Sequence, residues 1–200
     1  MSPTQATEPR VRLFIALDLP GEIRRGIARW GTAALAAPSL RRVPEQALHI
    51  TLAFLGGRPE SEISLIAALI GKVETPAPAI ALSGPVPAPP RRPRVLALPV
   101  TSPGAVALQA GLEAKLVKAG LFVPEKRDFW PHVTVARVRS PRGVRPGRDA
   151  AGYAAGPLPD SLRASTVCRR IALYRSITKS AGAEYIPLAQ VELPEQAAVR

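Results

Sequence analysis

One cysteine, Cys168, stands in 200 residues. Its solitude excludes an internal disulfide and any cysteine-based zinc site, and it fits a reducing, cytoplasmic compartment. Long apolar runs are missing too. No stretch approaches the roughly 20 residues that span a bilayer, and residues 1–12 hold no apolar core of a secretory signal. No membrane association is expected. Acidic residues are scarce: 15 Asp and Glu against 27 Lys and Arg, for a formal net charge of +12. Of the 27 cations 22 are arginine, whose planar fork suits phosphate. The excess points to a polyanionic partner, RNA or a nucleotide. A genome composition that enriches Ala, Arg and Pro together produces the same skew, so charge alone decides nothing. Histidine is rarest of the potential catalysts, with only His49 and His132.

What remains is a globular chain. Hydrophobic residues make up 46%, enough for a core, and 23 Pro with 15 Gly promise many turns. Residues 12–19 (RLFIALDL) read as a strand, followed by Pro20 at the first position of a helix that turns Ile23, Ile27, Trp30 and Ala34 inward. Residues 48–55 (LHITLAFL) read as a strand stopped by Gly56 and Gly57, and Ser61 reads as the cap of a helix with Ile63, Ile66, Ala67 and Ile70 inward. Residues 79–83 form a short strand. The proline-rich stretch 85–93 (PVPAPPRRP) reads as an extended connector and marks the boundary between two lobes of one domain, with room for strands to be exchanged between them.

Beyond that connector the order recurs. Residues 94–100 read as a strand, Ser102 and Pro103 as cap and first turn, and Ala105, Leu108, Leu112 and Leu116 as the inner face of a helix closed by Gly120. Residues 131–138 (PHVTVARV) read as a strand. Residues 140–160 read as an exposed loop, then strands over 167–177 and 184–193 with a turn at 178–183. Pro20 precedes His49 by 29 positions and Pro103 precedes His132 by 29, so strand–helix–strand occurs twice in the same register. The class is α+β with antiparallel strands.

Both histidines carry threonine two residues on, His49-Ile50-Thr51 and His132-Val133-Thr134. With nine Thr in 200 residues, coincidence at both sites has odds of about 0.2%. Side chains at i and i+2 on a strand share a face, so each motif presents one imidazole beside one hydroxyl. Hydrolysis of a phosphodiester needs one proton removed from water and one delivered to the leaving oxygen. One neutral and one protonated histidine do both near pH 7, while threonine hydroxyls hold the phosphate oxygens. No metal is needed, although carboxylate-held Mg²⁺ stays open. A non-catalytic nucleotide- or RNA-binding module, and a basic RNA-associated structural protein, are the rival readings.

The segments LHITLAFLG (48–56), WPHVTVAR (130–137) and RLFIALDLP (12–20) resemble the two-histidine (2H) phosphoesterases. The branch they most resemble is the bacterial RNA 2′,3′-cyclic phosphodiesterases, historically called 2′-5′ RNA ligases. The resemblance runs from about residue 12 to 193. It implies a bilobed α+β fold, two pseudo-symmetric lobes of antiparallel sheet flanked by helices around a central cleft. It implies hydrolysis of RNA or nucleoside 2′,3′-cyclic phosphates to 2′-phosphomonoesters without metal or other cofactor, by a chain expected to be monomeric. Reversible 2′-5′ ligation is the alternative activity, using the same groups with an RNA 5′-hydroxyl attacking the cyclic phosphate in place of water. In the family the first histidine is the proton donor and the second the acceptor, which carries to His49 and His132; the residues alone leave that order open. Thr51 and Thr134 would hold the phosphate. Phe54 and Arg137, each at +5 from a histidine, are similar to family substrate contacts. Strict alternation sends +5 to the opposite face, so a bulge or a strand end is required. Trp130 and Phe129 read as core or lid packing ahead of base-stacking platforms, and Tyr185 as a strand tyrosine with its hydroxyl at the surface, the alternative being a base-stacking or cleft-lining place.

Overall fold

The computed structural model describes residues 8–139, 155–179 and 182–195. Most of the loop expected over 140–160, together with its arginines, therefore lies outside the described residues, as does the tip of the turn expected at 178–183.

Apolar runs with β-branched residues become strands. β1 (Arg10–Asp18) leads into helix α1 (Gly21–Ala34), with Pro20 in the capping position just ahead of the first helical residue rather than inside it. β2 (Leu40–Arg42) is short, and β3 (His49–Pro59) is long. Gly56 and Gly57 do not stop β3. Gly56 adopts φ +71°, a conformation cheap only for glycine, and the strand bends there and continues. Ser61 caps nothing: it lies in a 3-10 turn, Glu60–Glu62, that runs directly into α2 (Ile63–Ile70). Ile66 and Ile70 of α2 are fully buried.

β4 (Ala79–Leu82), β5 (Val86–Ala88) and β6 (Val95–Thr101) follow, β5 arising inside the proline-rich stretch and pairing with β6. Helix α3 (Pro103–Lys118) opens on Ser102, whose Oγ accepts from the Ala105 backbone N–H at 3.0 Å and donates to the Ala79 carbonyl at 2.7 Å. Its inner face is Ala105, Leu108, Leu112 and Leu116, each 1% exposed or less, and Gly120 at φ +69° lets the chain leave the helix. β7 (His132–Val138), the short helix α4 (Asp160–Arg163), β8 (Thr166–Val167), β9 (Arg170–Lys179) and β10 (Gly182–Glu192) complete the described chain.

The strands make one ten-stranded sheet in the order β10-β9-β1-β3-β7-β6-β4-β8, with β2 on β7 and β5 on β6. Every described pairing is antiparallel. The two expected sheets are thus continuous, joined through a single described pair, Ile50 with Val133. Strands are traded across the chain: β2, from the first third, lies on β7, and β9, from the end, lies on β1 and carries β10 on its other edge. Helices α1, α2 and α3 add Ile27, Ile66, Leu108 and Leu112 to a core shared with Ile15, Leu17, Ile50, Leu98 and Val133. No described helix is long and apolar enough to cross a membrane.

Ser102 both caps α3 and ties it to β4, so Ser102→Ala is expected to lower stability by about 1–2 kcal/mol. Urea unfolding checks this; an unchanged midpoint would contradict the role.

Candidate active site

The site is built outward from Ile50 and Val133. Both are 0% exposed and point into the core. Their neighbours therefore turn to the other face, and one ladder step on either side sets His49 across from Thr134 and Thr51 across from His132. The four side chains stand as a square on one face, each half-buried. They open into a cleft of about 500 Å³ that also holds Arg12, Arg41, Arg137, Lys179 and Tyr185.

The two imidazoles are held alike. His49 Nδ1 lies 2.8 Å from the Ala47 carbonyl and His132 Nδ1 lies 2.8 Å from the Trp130 carbonyl. A carbonyl only accepts, so each Nδ1 carries the proton and donates it. Nε2 is then the nitrogen with the free lone pair in each neutral ring. His49 Nε2 sits 3.0 Å from Thr51 Oγ1 and accepts from that hydroxyl. Packing completes the orientation: Phe14 lies 5.0 Å from the His49 ring, Tyr185 meets its edge at 5.4 Å, and Trp130 stacks on His132 at 4.3 Å and 19°.

β1 lies beside β3 on the side away from β7. Ala16 faces Thr51, Asp18 faces His49, and Ala172 of β9 lies beyond Ala16; both alanines are fully buried. Asp18, 5% exposed, accepts from Arg170 Nε at 2.7 Å and from the Tyr174 hydroxyl at 2.8 Å, so each carboxylate oxygen has a partner. Burial, with Asp18 beside it, pushes the Tyr174 hydroxyl pKa upward, and the hydroxyl stays a donor. His49 is shifted the other way, down to about 4. Burial is the main cause; the Ala47 carbonyl and Asp18 oppose it, and the charges of Arg137 and His132 reinforce it.

Phe54 and Arg137 reach the same face through two matching bulges. On β3, Ala16 pairs with Thr51 but Ile15 pairs with Ala53, which leaves Leu52 as an extra residue; Phe54 then faces Phe14, ring to ring at 6.2 Å. On β7, Ala97 pairs with Thr134 but Leu96 pairs with Ala136, which leaves Val135 extra. One inserted residue reverses the alternation downstream, so both +5 positions return to the histidine face. Phe54 is 65% exposed and Arg137 is exposed in the cleft. Two residues read otherwise from the sequence belong here. Tyr185 lines the cleft rather than the outer surface, and Trp130, 42% exposed, is neither core nor lid but the plate against His132. The signal for Trp130 was its place two residues before a histidine, where its carbonyl can hold that ring.

Cys168 is buried and its thiol is pushed up to about 12 by burial, so it is inert. Among the described residues no three of His, Cys, Asp or Glu gather as a metal site would.

An α+β sheet carrying two His-x-Thr strands in one cleft defines a two-histidine phosphoesterase. The chain belongs to the 2′-5′ RNA ligase superfamily, whose family model matches residues 19–178. It is 33% identical over 133 residues to the RNA 2′,3′-cyclic phosphodiesterase of Escherichia coli K12, covering 66% of this chain and 73% of that protein. It is 33% identical over 182 residues to the protein of that name from Methanothermobacter thermautotrophicus, covering 88% and 95%. The crystal structure of E. coli LigT complexed with NADP+ superposes with a TM-score of 0.73 at 28% identity, over 94% of this chain and 100% of that one. LigT has also been crystallised with 3′-AMP and with phosphate.

The depressed His49 pKa has a signed consequence. The unfolded chain takes up the proton near the ordinary 6.5, whereas the folded ring resists until about 4. Folded stability is therefore expected to fall as pH drops through that window. Imidazole ¹⁵N NMR should find His49 neutral with its proton on Nδ1 at pH 6; a His49 titration at or above 6.5 would contradict the burial effect.

Proposed function

We propose that this protein hydrolyses RNA or nucleoside 2′,3′-cyclic phosphates to 2′-phosphomonoesters by paired histidine acid–base catalysis, without a metal. The observation that carries this reading is the square that the register sets around Ile50 and Val133, two imidazoles and two threonine hydroxyls on one face and lining one cleft. The names of the relatives support the substrate.

The cyclic phosphate lies over the square, with the Thr51 and Thr134 hydroxyls donating to its non-bridging oxygens. Thr51 releases His49 as it turns to the phosphate. His132 Nε2 accepts a proton from water as the water oxygen bonds to phosphorus. The P–O3′ bond breaks, and His49 Nε2–H protonates the departing 3′ oxygen, leaving the 2′-phosphate. The donor must first be charged. Bound phosphate adds its negative charge to that of Asp18 and favours His49 imidazolium against burial and Arg137. Arg137 pairs with a phosphate oxygen or an adjacent nucleotide, and Phe54 packs on the substrate at the mouth of the cleft. The same groups act in the same sense when an RNA 5′-hydroxyl replaces water: His132 takes its proton, the 5′ oxygen bonds to phosphorus as P–O3′ breaks, and a 2′-5′ linkage results, a ligation that is reversible. The chain acts as a monomeric, bilobed unit in the cytoplasm.

An RNA ending in 2′,3′-cyclic phosphate, incubated in EDTA and followed by ³¹P NMR, is expected to give a 2′-phosphate. His49→Ala and His132→Ala are each expected to lower kcat by about 100- to 10,000-fold with the fold intact by circular dichroism. Rates within about tenfold of wild type, or a strict need for added metal, would overturn the mechanism. The kcat/KM profile should be bell-shaped, since one ring must be neutral and the other charged; a flat profile from pH 5 to 9 would contradict it.

A further inference from the structure

Past the Ile50–Val133 pair, β3 and the segment entering β7 part, and a second cavity of about 800 Å³ fills the gap. It meets the catalytic cleft at Thr51, Phe54 and His132, which line both. We infer that this second cavity is a nucleobase site that prefers guanine at the terminal nucleotide, read by Glu113 and Gln109 of α3. The inference rests on the reading above, that the terminal cyclic phosphate sits between His49 and His132.

The two cavities differ in chemistry. The cleft over the histidines carries Arg12, Arg41, Arg137 and Lys179, a lining for phosphates. The second cavity carries Trp130, Phe122 and Phe129 with prolines 87, 89 and 90. Its one arginine, Arg127, is paired with Glu125 at 3.0 Å. Phosphates are drawn to the first and a flat apolar ring to the second. A nucleotide whose cyclic phosphate lies at the junction then points its base into the aromatic cavity and sends its 5′ chain over the arginines. Trp130, already stacked on His132, stands in the wall that such a base would meet.

The lining residues set which base. Three polar residues are buried in the described structure: Asp18, Ser102 and Gln109. The first two are tied to the fold by the bonds given above. Gln109 instead lines the cavity, its Nε2 donating to Glu113 Oε2 at 2.8 Å. A carboxylate only accepts, so the amide NH₂ must face Glu113, which leaves Gln109 Oε1 as an acceptor. Glu113 keeps its second oxygen, and among the described residues no cation pairs with it within 4.0 Å. The pair therefore offers acceptors to an incoming base edge. Guanine is the base with two adjacent donors on its Watson–Crick edge, N1–H and N2–H₂. Uracil sets its one N–H between two carbonyls, and adenine and cytosine each set a ring lone pair beside the amino group. Those edges would meet an acceptor with an acceptor.

Binding and turnover together test this. The probes are 3′-GMP, 3′-AMP, 3′-CMP and 3′-UMP, titrated by calorimetry, and the four nucleoside 2′,3′-cyclic phosphates for kcat/KM. Guanine is expected to lead uracil by about tenfold or more in both. Glu113→Gln, a half-buried and isosteric change, is expected to bring the guanine-to-uracil ratio within about threefold. Equal affinities for the four nucleotides in wild type would overturn the inference, and so would a Glu113→Gln variant that weakens all four alike. If no cyclic phosphate is turned over but 3′-GMP still binds best through Glu113, the base site stands and the hydrolytic reading falls. If all four are turned over equally, the reverse holds.

Discussion

A single antiparallel pair, Ile50 with Val133, joins the two halves of a ten-stranded sheet. Both side chains are sealed in the core, and the two-residue period of a strand does the rest. It places an imidazole and a hydroxyl on each side of the pair, all on one face. A slip of one residue in either strand would carry a histidine into the core and an aliphatic side chain into the cleft. Register is therefore not a detail of this site but its cause. Burial of Ile50 and Val133 opposes any slip, at about 1.5–3 kcal/mol for each buried aliphatic side chain.

A chain with one continuous sheet still needs a concave site, and three devices provide it. Fully buried alanines at 16 and 172, in register beside Thr51, take up little room on the histidine face. Matching bulges at Leu52 and Val135 turn Phe54 and Arg137 back toward the histidines. Asp18, satisfied by Arg170 and Tyr174, sets a fixed negative charge under His49. It opposes the burial that depresses that imidazole without bonding to the ring, so His49 answers to the charge of whatever occupies the cleft. A buried carboxylate with both oxygens paired is costly to disturb, because removing a partner strands a charge.

Much of the frame was legible in the residues. The strand–helix–strand order, its recurrence with the same 29-residue spacing from proline to histidine, the inner face of α3 and its serine cap all follow from periodicity and local capping chemistry, which act over a few residues. The two His-x-Thr segments were legible as a matched set because i and i+2 must share a face. The continuous sheet was not, since whether β3 meets β7 edge to edge depends on contacts 83 positions apart. The residues left strand exchange between the halves open, but that β2 and the β9–β10 pair are the strands exchanged was not legible in them. The extra residues Leu52 and Val135 look in the sequence like ordinary members of an apolar strand, so the faces taken by Phe54 and Arg137 could not be assigned from alternation. Gly56 misled for a related reason: a positive φ inside a bent strand and a positive φ ending one look alike. Trp130 and Tyr185 read as packing or surface because aromatic residues usually are, and only three-dimensional proximity to His132 and His49 reassigns them.

The central claim is that one phosphorus centre touches both imidazoles at once. Vanadate, which takes five-coordinate form with a nucleoside diol, offers the direct measurement. Uridine vanadate is titrated into ¹⁵N-labelled protein while the His49 and His132 Nε2 resonances are followed. Both resonances are expected to shift together, with one shared dissociation constant and a stoichiometry of one. Movement of only one, or of the two at different ligand concentrations, would contradict the account.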